Sequence, residues 1–434
     1  MIDVTEESAD PFEFLLDVTR RYGDSVQWAG PLGKTYLLNS PDYVRHVLHS
    51  PQFHRTSLAT IVLGEGMLSS DGECSRKQRQ QALPFFHRNA LEQFQPLIKA
   101  HTRAMLERWD GISERGEALD VSAEMAELTL SIIVDALFGV ELRSQMSELG
   151  QALDVLLNDV GAMGCTQLNT PLSFSESSLE RFRTALATLD RIVWEIIDER
   201  RRLGNDSTNL LSYLLSVRDE ETGRPLTDRQ LRDQVATFLI AGHETTSLVL
   251  SWAWHLLAEN PSTELCLHQE LDRVIGTRTP NLEDLDDLPY ALMVLRESMR
   301  LYPPVWFMAR KSLFAGDVGG TYVPENVLVV VSPYALHRHP GFWENPDDFD
   351  PLRFSPGTHQ SKNSYIPFAS GHHQCIGMNL ALMEGHLILA SVAQHYRIRP
   401  LADHAVEPQP AITLRLRTGL MANLLRRAPE RVAK

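Results

Sequence analysis

A cysteine set in a glycine-containing loop offers the clearest chemistry in these 434 residues. The segment FASGHHQCIGMNLALMEGHLILA places Phe368, Gly371, His373, Cys375 and Gly377 in a short loop that runs into an apolar-periodic helix from about Ile376. A cysteine at a helix N-terminus feels the positive end of the dipole and free N–H donors. Both favour the thiolate, the form that attacks or ligates a metal. The two glycines let the backbone approach something flat, or make the tight turn that presents the sulfur. Taken alone, the same cysteine also reads as a small core residue beside a helix cap.

Two further clusters put polar groups where an apolar core is expected. AGHETT (Ala241 to Thr246) sits in the middle of TDRQLRDQVATFLIAGHETTSLVLSWAWHLLAEN, which starts at Thr227 before Asp228 and stops before Pro261. That helix is apolar nearly all round, so it is expected to run through the core. Gly242 inside it costs about 1 kcal/mol relative to Ala. Glu244, Thr245 and Thr246 are expensive there unless hydrogen-bonded; a threonine can bond back to the carbonyl one turn earlier and bend the helix. In LRESMRLYPP, Glu297 and Arg300 share one helix face at a spacing of three. An exposed pair of this kind is worth little, but Leu295, Met299 and Leu301 flank it, which predicts a buried one.

The elements that must position these groups are mainly helical. Residues from about 75 to 300 show helical periodicity, as in RFRTALATLDRIVWEIIDERRR, while VQWAG and TYLLN, joined by Pro31-Leu32-Gly33-Lys34, read as a hairpin. The last 130 residues mix short strands, the irregular HRHPGFWENPDDFDPLRF and the cysteine-loop helix. Length alone suggests about three domains, yet no repeat, low-complexity run or linker divides the chain, so a single unit over residues 1–434 is expected. Lys+Arg 41 against Asp+Glu 56 gives a net charge of −15, which argues against nucleic acid as a partner. No stretch of about 20 apolar residues predicts a membrane anchor, and no secretory signal precedes the chain's first acids; a cytoplasmic protein is expected. Cys74, Cys165, Cys266 and Cys375 form no CxxC pair and are expected to be buried small residues in a reducing compartment.

The loop spells F-x-x-G-x-[Arg or His]-x-C-x-G, and in this it resembles the haem-binding signature of the cytochrome P-450 family. The resemblance extends over nearly the whole chain: Glu297 and Arg300 match the family's ExxR pair, Arg353 in FDPLRF its third partner, and AGHETT its [Ala/Gly]-Gly-x-[Asp/Glu]-Thr pattern. It implies a mainly α fold with a small β subdomain, haem b lying between the long central helix and the cysteine-loop helix. Cys375 would be the axial iron ligand. Phe368, Gly371, Gly377, Ala241 and Gly242 would surround the haem, and His373, Arg79 and Arg310 would meet its propionates; Ser75 stands where Trp is common. Thr245 would hydrogen-bond dioxygen as it is activated, a local widening of the helix making room for it, and Glu244 would help deliver protons. Glu297, Arg300 and Arg353 would brace the loop. The implied activity is O2-dependent hydroxylation or epoxidation of a lipophilic small molecule, such as a terpenoid, polyketide, fatty acid or steroid. Electrons would come from a separate ferredoxin or flavodoxin with its reductase, docked on the basic patch of Arg76, Lys77, Arg79 and Arg88. The pocket would be lined by SLATIVLGEGML, Phe238, Ala241, Val305, Trp306, Phe307 and the region of Ile412, under a flexible lid at about 158 to 178. An atypical haem-thiolate enzyme (peroxygenase, ring coupling or isomerisation) and a non-catalytic haem sensor are the alternatives.

Overall fold

The computed structural model describes residues 2–4, 10–30, 33–56, 59–142, 145–168, 175–204, 209–219, 222–358 and 361–427. The helices that build the site, labelled in chain order, are α1 (Gly72–Ala82), α2 (Val121–Ile133), α3 (Met146–Leu168), α4 (Glu176–Leu203), α5 (Asp228–Glu259), α6 (Pro289–Leu301) and α7 (Met378–His395). Their starts follow from local chemistry. Thr227 and Gln230 cap α5 reciprocally, each side chain taking the other's backbone N–H. Ser175 caps α4 by accepting from the Ser178 N–H at 3.1 Å. α6 begins at a proline, and its next two N–H groups donate to the carboxylate of Glu270. α7 has Gly377 at its N-cap and no side-chain cap, so its first turn keeps free donors next to Cys375.

α5 is the axis of the molecule. Apolar residues cover almost its whole circumference, and it packs on α2, α4, α6 and α7. Trp109, Trp252 and Trp306 are fully buried, each removing enough area from water for roughly 4–6 kcal/mol. Trp252 stacks on Tyr302 at 3.8 Å and donates its indole N–H to the Leu414 carbonyl.

Six strands form one sheet: β1 (Ile2–Val4), β2 (Ser25–Gly30), β3 (Gly33–Leu38), β4 (Phe53–Arg55), β5 (Met308–Ser312) and β6 (Leu328–Val331). Their order is β1-β2-β3-β6-β5-β4, so strands from both ends of the sequence interleave. β2 and β3 are the antiparallel hairpin that the sequence predicts, paired from Ser25↔Leu38 to Gly30↔Gly33. Near the C-terminus a second hairpin, β7 (Pro408–Pro410) with β8 (Leu414–Leu416), lies against α3 and α5.

Several expectations change. The cysteine-loop helix starts at Met378, because residues 371–373 form a separate tight turn. Cys74 and Cys266 are exposed, lying on the polar faces of their helices, while the side chain of Cys165 lies outside the described residues. The first half of the anticipated lid is regular helix, since α3 continues to Leu168; residues 169–174 lie outside the described set. Trp306 belongs to the core, where its N–H donates to the Ala411 carbonyl and its ring meets Phe12.

Candidate active site

A cavity of about 430 Å3 lies between α5 and the cysteine loop, within the range of small-molecule sites. Phe368, His373, Cys375 and Gly377 form one wall, and Ala241, Gly242, Glu244 and Thr245 the opposite one. The rest is mostly apolar, with Leu63, Phe86, Leu156, Phe238, Val305 and Ile412 among the lining residues.

The cysteine loop is held by its backbone. The Cys375 N–H donates to the Phe368 carbonyl at 2.9 Å, and Arg79 Nη1 donates to the Gln374 carbonyl at 2.6 Å. Cys375 is exposed in area because Sγ opens onto the cavity, although protein surrounds it on its other sides. Burial pushes its thiol up, while the Gly377 N–H and Arg79 pull it down. The two loop glycines do different jobs. Gly377 opens onto the cavity, where an added Cβ would sit 3.9 Å from the sulfur. Gly371 does not line the cavity: its φ is +71°, and a Cβ there would come within 2.3 Å of the Leu48 carbonyl oxygen. It shapes the loop from behind.

At the rim two strands bring cations face to face. Arg55 on β4 is registered directly opposite Arg310 on β5, and both line the cavity. Like charges opposite one another destabilise a sheet. Burial lowers both guanidiniums to about 10, and for Arg55 the charge of Arg310 adds to the effect. The one nearby carboxylate, Asp71, is engaged elsewhere. Its Oδ2 accepts from the Arg55 backbone N–H at 2.7 Å, and its Oδ1 faces His373 Nε2 at 3.1 Å. Burial works to raise the Asp71 carboxyl, but those hydrogen bonds outweigh it and hold the group well below the usual carboxylate range. A neutral His373 that donates Nε2–H to Asp71 keeps Nδ1 only as an acceptor. The donor set at this rim, a buried Arg310 and a half-buried Arg55 with Arg79 beside them, therefore fits a ligand carrying carboxylates, although Arg55 Nη1 already donates to the Met67 and Leu68 carbonyls at 3.0 Å.

On the opposite wall the polar side chains of His243, Glu244 and Thr245 have partners. Thr245 Oγ1 donates to the Ala241 carbonyl at 3.0 Å, and α5 stays α-helical throughout, without the break a local widening would make. Gly242 is favoured by packing, since a Cβ would stand 2.8 Å from Ile133 Cδ1 on α2 and that side chain would have to shift. His243 is buried and its Nδ1 bonds the Leu239 carbonyl, while Thr129 on α2 donates to the His243 carbonyl. Glu244 Oε1 accepts from Thr413 Oγ1 at 2.9 Å and from Arg415 Nε at 2.7 Å. Burial works to raise Glu244, but Arg415, His243 and Thr413 together hold it below the ordinary carboxylate value.

The Glu297 network sits away from the cavity. Arg300 grips both Glu297 oxygens at 2.7 Å and donates to the carbonyls of His337, Pro346 and Asp348, while Arg353 Nε reaches Glu297 Oε1 at 3.1 Å. It ties α6 to the irregular stretch that precedes the cysteine loop. In the proximal patch, Arg76 pairs with Glu73, and Lys77 lies near Glu73 and Asp219; the side chain of Arg88 lies outside the described residues.

Arg55, Thr413 and Arg415 carry no sequence signal, because only strand register and tertiary packing bring them here. Glu384 is another such residue. It is buried at the cavity wall with both carboxylate oxygens lacking a partner among the described residues, and burial pushes its carboxyl up to about 8.

A family model described as Cytochrome P-450 matches residues 2–420. Cyclooctatin synthase of Streptomyces melanosporofaciens is 32% identical over 93% of this chain and 89% of its own length. Cyclooctat-9-en-7-ol 5-monooxygenase of the same organism is 34% identical over 90% of this chain and 86% of its own. The crystal structure of the cytochrome P-450DA heme domain superposes with a TM-score of 0.86 at 26% identity, covering 97% of this chain and 94% of that one. Family model, relatives and fold agree along nearly the whole chain, and the chain belongs to the cytochrome P-450 family of haem-dependent monooxygenases.

Proposed function

We propose that the chain is one haem-enclosing unit that hydroxylates or epoxidises a lipophilic small molecule of secondary metabolism, a terpenoid above the other classes. The observation that carries this reading is the cavity itself: Cys375 Sγ opens onto it at one wall, Thr245 and Glu244 lie on the other, and Arg55 and Arg310 line its rim. Bound there as haem b, the cofactor supplies the activation of O2 and the oxidation of C–H or C=C bonds that side chains cannot perform. Cys375 would give its thiolate to the haem iron. Phe368 and Gly377 leave room beside the sulfur. Arg55, Arg79 and Arg310 hold the propionates, and His373, engaged by Asp71, supports the loop more than it binds them.

Thr245 donates to Ala241 and keeps its oxygen lone pairs as acceptors for a proton donor in the cavity. Glu244 stores and moves protons from behind it. The apolar residues around the cavity exclude water and favour a substrate without charge. The relative named for cyclooctat-9-en-7-ol, an unsaturated alcohol, supports the terpenoid assignment. Electrons come from a separate ferredoxin or flavodoxin with its reductase, with Arg79 and the exposed Arg76 on the docking side.

A CO difference spectrum of the reduced protein tests the ligand. A strongly red-shifted Soret band that disappears in Cys375→Ala is expected; a band at the unshifted position in the parent protein refutes the assignment. A screen of terpenoid alcohols and hydrocarbons for shifts in the haem absorption then tests the substrate class.

A further inference from the structure

Arg415 bridges three elements, reaching from the β7–β8 hairpin to both α5 and α3. Its Nε holds Glu244 of α5 at 2.7 Å, and its Nη1 lies 3.2 Å from Asp154 Oδ1 of α3. The arginine itself belongs to β8, as the neighbouring Thr413 belongs to the turn before it. Burial grades along the bridge: the Glu244 side chain is 7% exposed and Arg415 11%, whereas Asp154 is 68% exposed. One end is therefore in the core and the other in water.

The two walls that the bridge joins also touch the cavity. Leu156, Leu157 and Val160 of α3 line it, as do Ile412 and Thr413 of the hairpin turn. α3 is seated tightly on that turn, because a Cβ on Gly161 would come within 2.2 Å of the Ile412 nitrogen. A molecule filling the cavity presses on both walls, and so on both ends of the bridge.

We propose that Arg415 is a positioning residue that sets how readily Glu244 takes up a proton, and that Asp154 adjusts its grip according to the seating of α3. This rests on the monooxygenase reading above. The electrostatics give the sign. With α3 seated, Arg415 divides its charge between two carboxylates, and the negative charge of Asp154 favours the protonated form of Glu244. With α3 displaced, Arg415 belongs to Glu244 alone and keeps it ionised, a poor proton carrier. The other groups facing Glu244 are His243, whose Nε2 lies 3.8 Å from Oε2, and the Thr413 hydroxyl. His243 is buried with Nδ1 on the Leu239 carbonyl; burial lowers it, Glu244 raises it, and any charge it carries adds to the hold of Arg415 on Glu244 in parent and variants alike.

The test uses the haem-loaded protein and two independent readouts. Infrared carboxyl difference spectra against Glu244→Gln follow the protonation of Glu244 directly. The pH dependence of product formation per electron consumed follows its use. Arg415→Gln is expected to raise the Glu244 titration by about 1–3 pH units, the effect of losing an opposite charge at this distance. Asp154→Asn, at the exposed end where folding is not at stake, is expected to lower it and to raise the fraction of electrons lost to peroxide. Arg415→Lys restores most of the parent profile. An unmoved titration in Arg415→Gln and Asp154→Asn, with the thiolate CO spectrum intact, overturns this inference alone; loss of that spectrum in the parent protein overturns the reading beneath it.

Discussion

Glu384 gives the sharpest stability test, because nothing among the described residues answers its charge. Both oxygens lack a partner among the described residues, and burial alone moves its carboxyl from 4.5 to about 8. Between those two values the folded protein holds a proton that the unfolded chain has released, so stability must fall as pH rises through that interval. At about 1.4 kcal/mol per pH unit, the full loss by pH 8 is about 5 kcal/mol, a large share of a typical domain's stability. Above pH 8 the carboxyl is charged in both states and the loss levels off. Glu384→Gln removes the titration while keeping shape. Its amide adds a pH-independent offset, so the informative quantity is the slope. Urea unfolding of parent and variant at pH 5, 6, 7 and 8 is expected to give curves that diverge by several kcal/mol, the variant gaining with pH. An infrared band of protonated carboxyl, present in the parent at pH 7, absent in the variant and lost near pH 8, provides the direct check. Parallel stability curves together with no such band refute the claim that the site is dry and uncompensated.

Two further outcomes follow from named contacts. Arg300→Lys keeps the charge but cannot reproduce a fork that reaches Glu297 and three carbonyls, so it is expected to cost about 3 kcal/mol or more in thermal unfolding; a loss below 1 kcal/mol contradicts the bracing role. Arg55→Leu is expected to act differently in the two forms of the protein. Relief of cross-strand repulsion with Arg310 is offset by loss of the hydrogen bonds to the Met67 and Leu68 carbonyls, so the haem-free form changes by no more than about 1 kcal/mol. Haem release to apomyoglobin meanwhile becomes several-fold faster, and an unchanged release rate contradicts the propionate clamp.

Local patterns were legible in the sequence, and contacts between distant segments were not. The helix start at Thr227, the β2–β3 hairpin and the Glu297–Arg300 pair each depend on residues within a few positions, where period and spacing carry the information. The cysteine loop was visible for the same reason. Gly371 shows the limit, since its type and place were evident while its reason, the Leu48 backbone behind it, was not. Arg55 sits in an unremarkable FHR run and gains meaning only from its register against Arg310. Arg415 and Thr413 answer the question that the sequence could only pose, namely what satisfies an acid inside an apolar helix. Trp306 was misplaced because an aromatic next to pocket residues faces either cavity or core, and composition does not choose between them.

The interleaving of the six-stranded sheet sets a timetable for making the protein. β4 pairs only with β5, and β3 reaches β5 only through β6, so the edge bearing Arg55 cannot join the β2–β3 hairpin in one sheet until the chain has been extended past Leu328. At about 5–20 residues per second, a ribosome needs roughly 15–55 s to travel from residue 55 to that point. Throughout that interval the β2–β3 hairpin can form, but β4 waits outside its sheet. The two arginines thus meet late, after nearly every helix has been synthesised, and a carboxylate-bearing cofactor arriving then would fasten the first eighth of the chain to its last third.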